Sequence, residues 1–353
     1  MRLSIGAMEL LLCGVLSAGS ASAQPGSKVT EVARGVYTIE HQARGPVSGN
    51  STVIIGERQV LVVDTSFRPS VAQQDIASIR SWTDKPVAFI VNTHFHNDHN
   101  IGNRAYMDAF PAVTIIACSE TKNAMDIFGP TIGARFDKET IPYQKMLETG
   151  KAPDGSPLTD DEKKQVEQLL SRRDSVSREF HELRFQSATL TFEHAMKIDL
   201  GSREVEIKFL GRGNTAGDAV VYLPKEKIAI VGDLVVYPIP YIFDGYPSEW
   251  IRTLENVMHL DAAVIIPGHG PVLHDQTYVL LLHDLLQSAL SQLNAYLAKT
   301  SPAMSQSLDK VSPAVDLSPF RQRFTGGDEA LGAAFDRMAA NVVKLLFYEA
   351  SLN

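Results

Sequence analysis

Cysteine is scarce in this chain, with two residues in 353. Cys13 lies in an apolar stretch near the N-terminus, and Cys118 ends the run Val113-Thr114-Ile115-Ile116-Ala117-Cys118. If Cys13 leaves with a leader, Cys118 has no partner in the chain. A disulfide framework is then excluded, and Cys118 is expected to be a small buried thiol. Clustered positive charge is also lacking: 33 basic residues face 41 acidic ones, for a net charge of -8. Phosphate backbones are bound by grouped Lys and Arg, so nucleic acid is not an expected partner. Beyond the N-terminus no apolar run is long enough to span a bilayer, which argues against stable membrane insertion. No Gly-x-Ser-x-Gly segment occurs, so nothing supports a serine nucleophile on a strand-to-helix elbow. What remains is a composition with 44% hydrophobic and 21% charged residues. That suits a globular protein with a large core, in one large domain or two ordinary ones.

The N-terminus reads as a targeting segment. Leu10-Leu11-Leu12-Cys13-Gly14-Val15-Leu16 is a short apolar run, and Ala21-Ser22-Ala23 fits a small-residue cleavage site with Gln24 as the mature start. Residues 1–23 are therefore expected to be a signal peptide and the protein to be exported, periplasmic or secreted. Arg2 is the sole early positive charge and Glu9 interrupts the apolar stretch. The competing readings are an uncleaved anchor and a misplaced start.

The densest chemical signal is Asn92-Thr93-His94-Phe95-His96-Asn97-Asp98-His99. Three histidines and an aspartate fall within six residues. Imidazole and carboxylate are the donors that suit zinc when no thiolate is present. Ala88-Phe89-Ile90-Val91 before it reads as a buried strand. In extended chain i and i+2 face the same way, so His94 and His96 can reach one metal. The chain is then expected to turn, with a helix starting near Ile101. Asp98 and His99 would sit at that turn and face a second metal or the far side of the first.

The first half of the chain is strand-rich. Val36 to Glu40, Ser51 to Ile55 and Val60 to Asp64 favour strand, with Gly56-Glu57-Arg58 as a hairpin turn. A helix is expected over Ser70 to Trp82. Residues 119–185 break the pattern. Thr159-Asp160-Asp161-Glu162 resembles a helix start, and Val166, Leu169, Leu170, Val176, Phe180 and Leu183 recur at helical spacing. This segment is read as a helical insertion over one edge of the core, with a solvated charged face. Strands return at Ala188 to Phe192, Val205 to Leu210, Ala219 to Leu223 and Ile228 to Val231. A helix over Trp250 to Leu260 and a strand at Val264-Ile265-Ile266 follow. Leu282, Leu286, Leu290, Leu293 and Leu297 form a stripe in a helix from Gln276, expected to pack on the core. Two blocks of strands followed by helices suggest a duplicated β-rich unit with helices outside.

Three later segments each place polar residues at the end of an apolar strand: Gly211 to Asp218, Gly232-Asp233, and Gly268-His269-Gly270. Such loops on a rigid scaffold are where chemistry is usually carried. Each is weak alone, and strong in this order after the histidine cluster.

On these residues the chain resembles the metallo-β-lactamase superfamily, over roughly Val29 to Val272, with His94-Phe95-His96-Asn97-Asp98-His99 as the signature. The resemblance implies an α/β fold, a four-layer αβ/βα sandwich with a two-metal site at the edge of its sheets. The domain would cover 29–353, including the 119–185 insertion and C-terminal helices over 276–353. It implies that His94 and His96 bind the first metal, that Asp98, His99 and His269 bind the second, and that Asp233 bridges both. Asp64 and Asp218 would support these ligands from behind. One departure stands out. Where the family usually has His-Thr-x-Gly-Asp, this chain has Asn214-Thr215-Ala216-Gly217-Asp218. An amide oxygen is a weaker zinc donor than imidazole. Three roles are therefore open to Asn214: weak metal binding, a hydrogen bond to a metal-bound water, or a first site left empty. His194, His259 and His274 are the other histidines considered as substitutes. Arg212 either steers an anionic substrate or pairs with a structural carboxylate. The aromatic, Pro-containing stretch Tyr237 to Tyr246, with Tyr237 and Tyr241, is either a wall of the substrate pocket or core.

The expected activity is that of a zinc-dependent hydrolase with one or two ions, in which metals lower the pKa of a bound water towards neutrality. Asp98 and Asp233 are its expected catalytic residues. Small esters, lactones, thioesters and β-lactams fit as substrates, while phosphate or sulfate esters fit an acidic chain less well. A mononuclear iron oxidoreductase and a non-catalytic metal-binding protein are the alternatives. The oligomeric state is not legible.

Overall fold

The computed structural model describes residues 27–41, 48–151, 158, 160–300 and 306–352. The expected signal segment, 1–23, lies outside them. The first sheet begins with β1 (Lys28–Ala33), β2 (Val36–Glu40), β3 (Ser51–Ile55) and β4 (Val60–Val63), followed by helix α1 (Pro69–Trp82). Then come β5 (Val87–Val91), α2 (Asn97–Asn100), α3 (Asn103–Ala109) and β6 (Thr114–Cys118). The expected insertion is α4 (Ser119–Phe128), α5 (Ile132–Thr149) and α6 (Asp160–Glu182), after which β7 (Leu190–Phe192) completes the sheet. The seven strands lie in chain order, antiparallel from β1 to β4 and parallel from β4 to β7.

The second sheet contains β8 (Ala195–Asp199), β9 (Glu204–Phe209), β10 (Ala219–Leu223), β11 (Ile228–Val236) and β12 (Val264–His269), with α7 (Pro247–Met258) between the last two. Its order is β12-β11-β10-β9-β8, parallel only at β11 and β12. The chain ends in α8 (Thr277–Leu297), α9 (Leu308–Val311), α10 (Ser318–Thr325) and α11 (Glu329–Leu352). Among the described residues no helix is long and apolar enough to cross a membrane.

Period-two side-chain direction explains the layering. In β4, Leu61 and Val63 face the second sheet, while Val60 and Val62 pack with Ala72, Ile76 and Ile79 of α1 and Tyr106 of α3. In β10, Val221 and Leu223 join the inter-sheet core, while Val220 and Tyr222 pack towards α7, α8 and α11. Both strands are buried on both faces, which is why they read as continuous apolar runs. The result is helix, sheet, sheet, helix, as the resemblance implied. Leu282, Leu286 and Leu293 are buried, and Leu290 and Leu297 pack against the same core. That stripe is core. Burying one such leucine contributes about 1.5–3 kcal/mol.

Three local expectations are corrected. The helix after the histidine cluster starts at Asn97, so Asp98 and His99 lie in its first turn and not in a turn before Ile101. The strand read as ending at Val231 runs on to Val236. Gly232, at φ +52, takes up a register shift against β12, so the strand continues instead of turning. Strand β8 was missed. Its burial alternates weakly and only Ile198 is buried, so it carries little apolar signal. In the insertion, Ile132, Phe136, Val176 and Phe180 form a core with Phe67 and Ile101, and Leu183 packs on it. Val166 is buried; the Leu169 side chain lies outside what is described.

Candidate metal centre

The histidine segment leaves β5 at Val91 and is latched by amides. Asn92 and Asn103 exchange hydrogen bonds at 3.1 and 2.8 Å, Asn92 also donates to the His99 carbonyl at 3.3 Å, and Thr65 Oγ1 donates to Asn103 at 2.9 Å. Asn100 Nδ2 donates to the carbonyls of Phe95 and His96, both at 2.8 Å. These bonds hold His94, His96, Asp98 and His99 on one side of the loop. From the second sheet, Asp233 on β11 and His269 at the end of β12 approach side by side. An added Cβ at Gly268 would stand 1.9 Å from Asp233 Oδ1, so glycine alone permits that approach.

Two groups of donors result, His94 with His96 and Asp233, and Asp98 with His99 and His269; within each, the ligand atoms lie within 4.8 Å of one another. All six residues are buried. Asp233 divides its oxygens between the groups. Oδ2 lies 3.7 Å from His94 Nε2, and Oδ1 lies 3.3 Å from His99 Nε2 and 3.6 Å from His269 Nε2. Asp98 Oδ2 lies 3.0 Å from His269 Nε2 and 3.3 Å from His99 Nε2. His94 Nε2 and His96 Nδ1 are 2.9 Å apart. His96 Nε2, Asp98 Oδ2, Asn214 Oδ1 and both Asp233 oxygens are buried without a hydrogen-bond partner. Orphaned buried acceptors are costly. A concentration of nitrogen and oxygen lone pairs fits a cation, and the donor set fits zinc.

The electrostatics agree. Burial pushes His94 well below the usual histidine range, assisted by His99, and lowers His96 as well. Burial also opposes a charge on His99, but Asp98, Asp233 and Asp64 outweigh it and raise that imidazole well above its ordinary pKa. Asp98 and Asp233 are held low by the surrounding histidines against the pull of burial. A proton on His99 thus partly offsets the carboxylates, a task that a divalent cation would take over.

Asp64, directly after β4 with φ +58, lies against His99 and Thr93. It accepts from His99 Nδ1 at 2.8 Å, from Thr93 Oγ1 at 2.8 Å and from Thr93 N at 2.8 Å. Thr93 was missed by sequence reasoning. Its Oγ1 gives its hydrogen to Asp64, so towards His94 Nδ1, 3.0 Å away, it acts as acceptor. That assigns the proton of His94 to Nδ1 and leaves Nε2 facing the cluster. One carboxylate therefore orients a histidine in each group, one directly and one through Thr93. The sole sequence hint was a hydroxyl immediately before the first histidine.

Asn214 is fully buried, with Nδ2 3.4 Å from His96 Nδ1. Asp218 folds the loop that carries it, accepting from Gly213 N at 3.1 Å, Thr215 N at 2.9 Å and Thr215 Oγ1 at 2.8 Å. Burial pushes the Asp218 carboxyl up to about 7 despite those donors. Arg212 pairs with Glu249 through two hydrogen bonds and lies over the Tyr246 ring at 4.3 Å, which favours its structural reading. The Tyr241 ring is 5.1 Å from that of His269, whereas half-exposed Tyr237 packs against Tyr278. His194, His259 and His274 belong to neither donor group.

A fold of two facing mixed sheets with a paired His/Asp cluster at their edge defines a class, and sequence comparison gives the same answer. The Metallo-beta-lactamase superfamily model matches residues 44–269, and the chain belongs to that superfamily. It is 32% identical over 96 residues to the Metallo-beta-lactamase type 2 of Bacillus cereus, covering 26% of this chain and 37% of that one. It is 25% identical over 225 residues to a Linear primary-alkylsulfatase of a Pseudomonas species, covering 60% and 39%. The matches thus span well under half of these relatives. Among solved structures, TMB-1 superposes with a TM-score of 0.53 at 19% identity, covering 75% of this chain and 99% of that one. FIM-1 from Pseudomonas aeruginosa, in its mono-zinc form, gives 0.52 at 18% identity, covering 74% and 96%. At such identities the structures show the common fold.

Proposed function

We propose that this protein is a zinc-dependent hydrolase of small ester, lactone, thioester or β-lactam substrates, with His94, His96 and Asp233 holding one ion and Asp98, His99 and His269 another. The observation that carries this reading is the convergence of six buried donors from both sheets, with Asp233 divided between the groups. When bound, zinc supplies an acidified water and a Lewis acid for the electrophile's oxygen. The chain supplies orientation. Asp64 fixes His99, and Thr93 passes the same constraint to His94. Asp98 and Asp233, both held ionised, are the proposed catalytic carboxylates. Their lowered pKa values keep them anionic at working pH, so in this reading they act by holding the ions and balancing their charge. No side-chain nucleophile is needed.

The test combines metal analysis of the purified chain with a panel of carboxylic esters, lactones, thioesters, β-lactams and alkyl sulfates, run before and after chelation. Two zinc ions and a chelator-sensitive hydrolysis are expected. One iron with no hydrolysis would replace this reading with a redox one, and tight metal binding with no turnover would leave a binding protein.

A further inference from the structure

Two pairs of partly exposed rings flank the buried donors. Phe95 lies 4.7 Å from the His96 ring and stacks on Phe128 at 5.5 Å. On the other group, Tyr241 lies 5.1 Å from the His269 ring and stacks on Phe243 at 6.1 Å. All four rings are partly open to solvent, while the histidines they touch are buried. Phe128 is the last residue of α4, so the insertion supplies half of one wall. Its position is fixed. Thr121 of α4 donates to the Gly217 carbonyl at 2.7 Å, in the loop that carries Asn214. Arg135 of α5 lies over the Phe128 ring at 5.8 Å and donates to the Phe128 carbonyl at 3.0 Å. The insertion core also includes Ile101, two residues after His99. A segment fastened to the surroundings of the donor cluster at two places and braced within itself at Phe128, with an aromatic ring at its edge, does more than cover a sheet.

We propose that the site takes a substrate with an apolar acyl arm, seated between the Phe95–Phe128 wall and the Tyr241–Phe243 wall, and that Phe128 of the insertion is a specificity-determining residue. This rests on the hydrolase reading for the scissile group but not for the arm. Small-molecule sites combine apolar walls with a few polar groups, and here the polar groups are the donors themselves. The nearby arginine of the Asn214 loop, Arg212, is engaged by Glu249, so it offers no ready clamp for an anionic arm.

Full burial of a methylene is worth roughly a fourfold change in affinity, so a half-open cleft should give about twofold per methylene. The zinc-loaded full chain is assayed with p-nitrophenyl acetate, butyrate and octanoate. In parallel, acetate and octanoate binding is measured by calorimetry, which needs no turnover. In wild type, octanoate should exceed acetate by about 60-fold in kcat/KM and in affinity, the product of six such steps. Phe128→Ala and Tyr241→Ala, from opposite walls, should each shrink the octanoate-to-acetate ratio at least about fivefold, the scale of losing part of that burial. A merely structural role would depress both esters alike and leave the ratio unchanged, which overturns the proposal. A flat chain-length series in wild type overturns it as well. A protein that prefers octanoate in calorimetry but hydrolyses no ester would sink the hydrolase reading while supporting the cleft.

Discussion

Replacing Asn214 with histidine separates two effects of opposite sign. The donor groups are unequal. The second contains the carboxylate of Asp98 in addition to the oxygen it shares from Asp233, whereas the first has two imidazoles, the shared Asp233 and the neutral amide of Asn214. The first ion should therefore bind more weakly, and lowering free zinc should pass the protein through a one-metal form held by Asp98, His99, His269 and Asp233. An imidazole at 214 adds a strong nitrogen donor. The gain at the weaker site should be about 10-fold or more, on the scale by which even indirect changes around a metal alter affinity. That equals about 1.4 kcal/mol.

The position is also fully buried, so the larger ring must be accommodated. Overpacking of this kind costs about 1–3 kcal/mol in the metal-free protein. Zinc at 100 times its Kd returns about 2.7 kcal/mol to the folded state, so the loss should close as the ion is added. Zinc titration by calorimetry from chelated protein, with thermal melts at each zinc level, reads both effects. The expected pattern for Asn214→His is a lower metal-free Tm, a tighter weak site and a Tm with zinc near that of wild type. If wild type already binds two zinc ions with equal, tight affinity and the variant does not differ, Asn214 is not limiting and the account of the first site is wrong.

Thr93→Val should break the link between Asp64 and His94 and weaken the first zinc about 10-fold, while Thr93→Ser should recover most of it. Nitrogen NMR of the metal-free protein, reporting the His94 tautomer, distinguishes a lost link from general loosening, and an unchanged Nδ1–H in the valine variant would refute the assignment. Asp218 gives a pH dependence of stability. Its folded pKa is raised to about 7 from 3.8, so its contribution is full below the unfolded value and is lost as pH rises towards neutrality. Metal-free protein should therefore lose a few kcal/mol, as an order of magnitude, between about pH 4 and 7 from this group. Asp218→Asn should flatten that slope, and urea unfolding at several pH values that shows parallel slopes for both proteins would count against it. Export with cleavage before Gln24 is checked by N-terminal sequencing of protein from the producing cells, where an intact Met1 on soluble cytosolic chain would disprove it.

The parts of the site that were legible in the sequence are those whose neighbours in space are neighbours in the chain. His94, His96, Asp98 and His99 share one loop and one helical turn, so their spacing alone carried the chemistry. Asp233 and His269 were readable only through their order and their glycines, and the structure explains those glycines physically: a Cβ at 268 would collide with the Asp233 carboxylate. The central strands were legible because burial on both faces makes them uniformly apolar, as in Val60 to Val63. Strand β8 was not, because four of its five residues are at least partly solvent-facing. Nor was helix α5 singled out, since Pro142 and polar residues blur its period. Thr93 and Phe128 belong to a third kind. A hydroxyl's role is set by the partner that accepts its proton, and Asp64 is 29 positions away. A ring's role is set by what it stacks on, and Phe95 is far from Phe128 along the chain. Local periodicity cannot encode either relation. The metal ligands are therefore the readable part of this centre, while the residues that aim them and shape what reaches them emerge only when the two sheets and the insertion close around one edge.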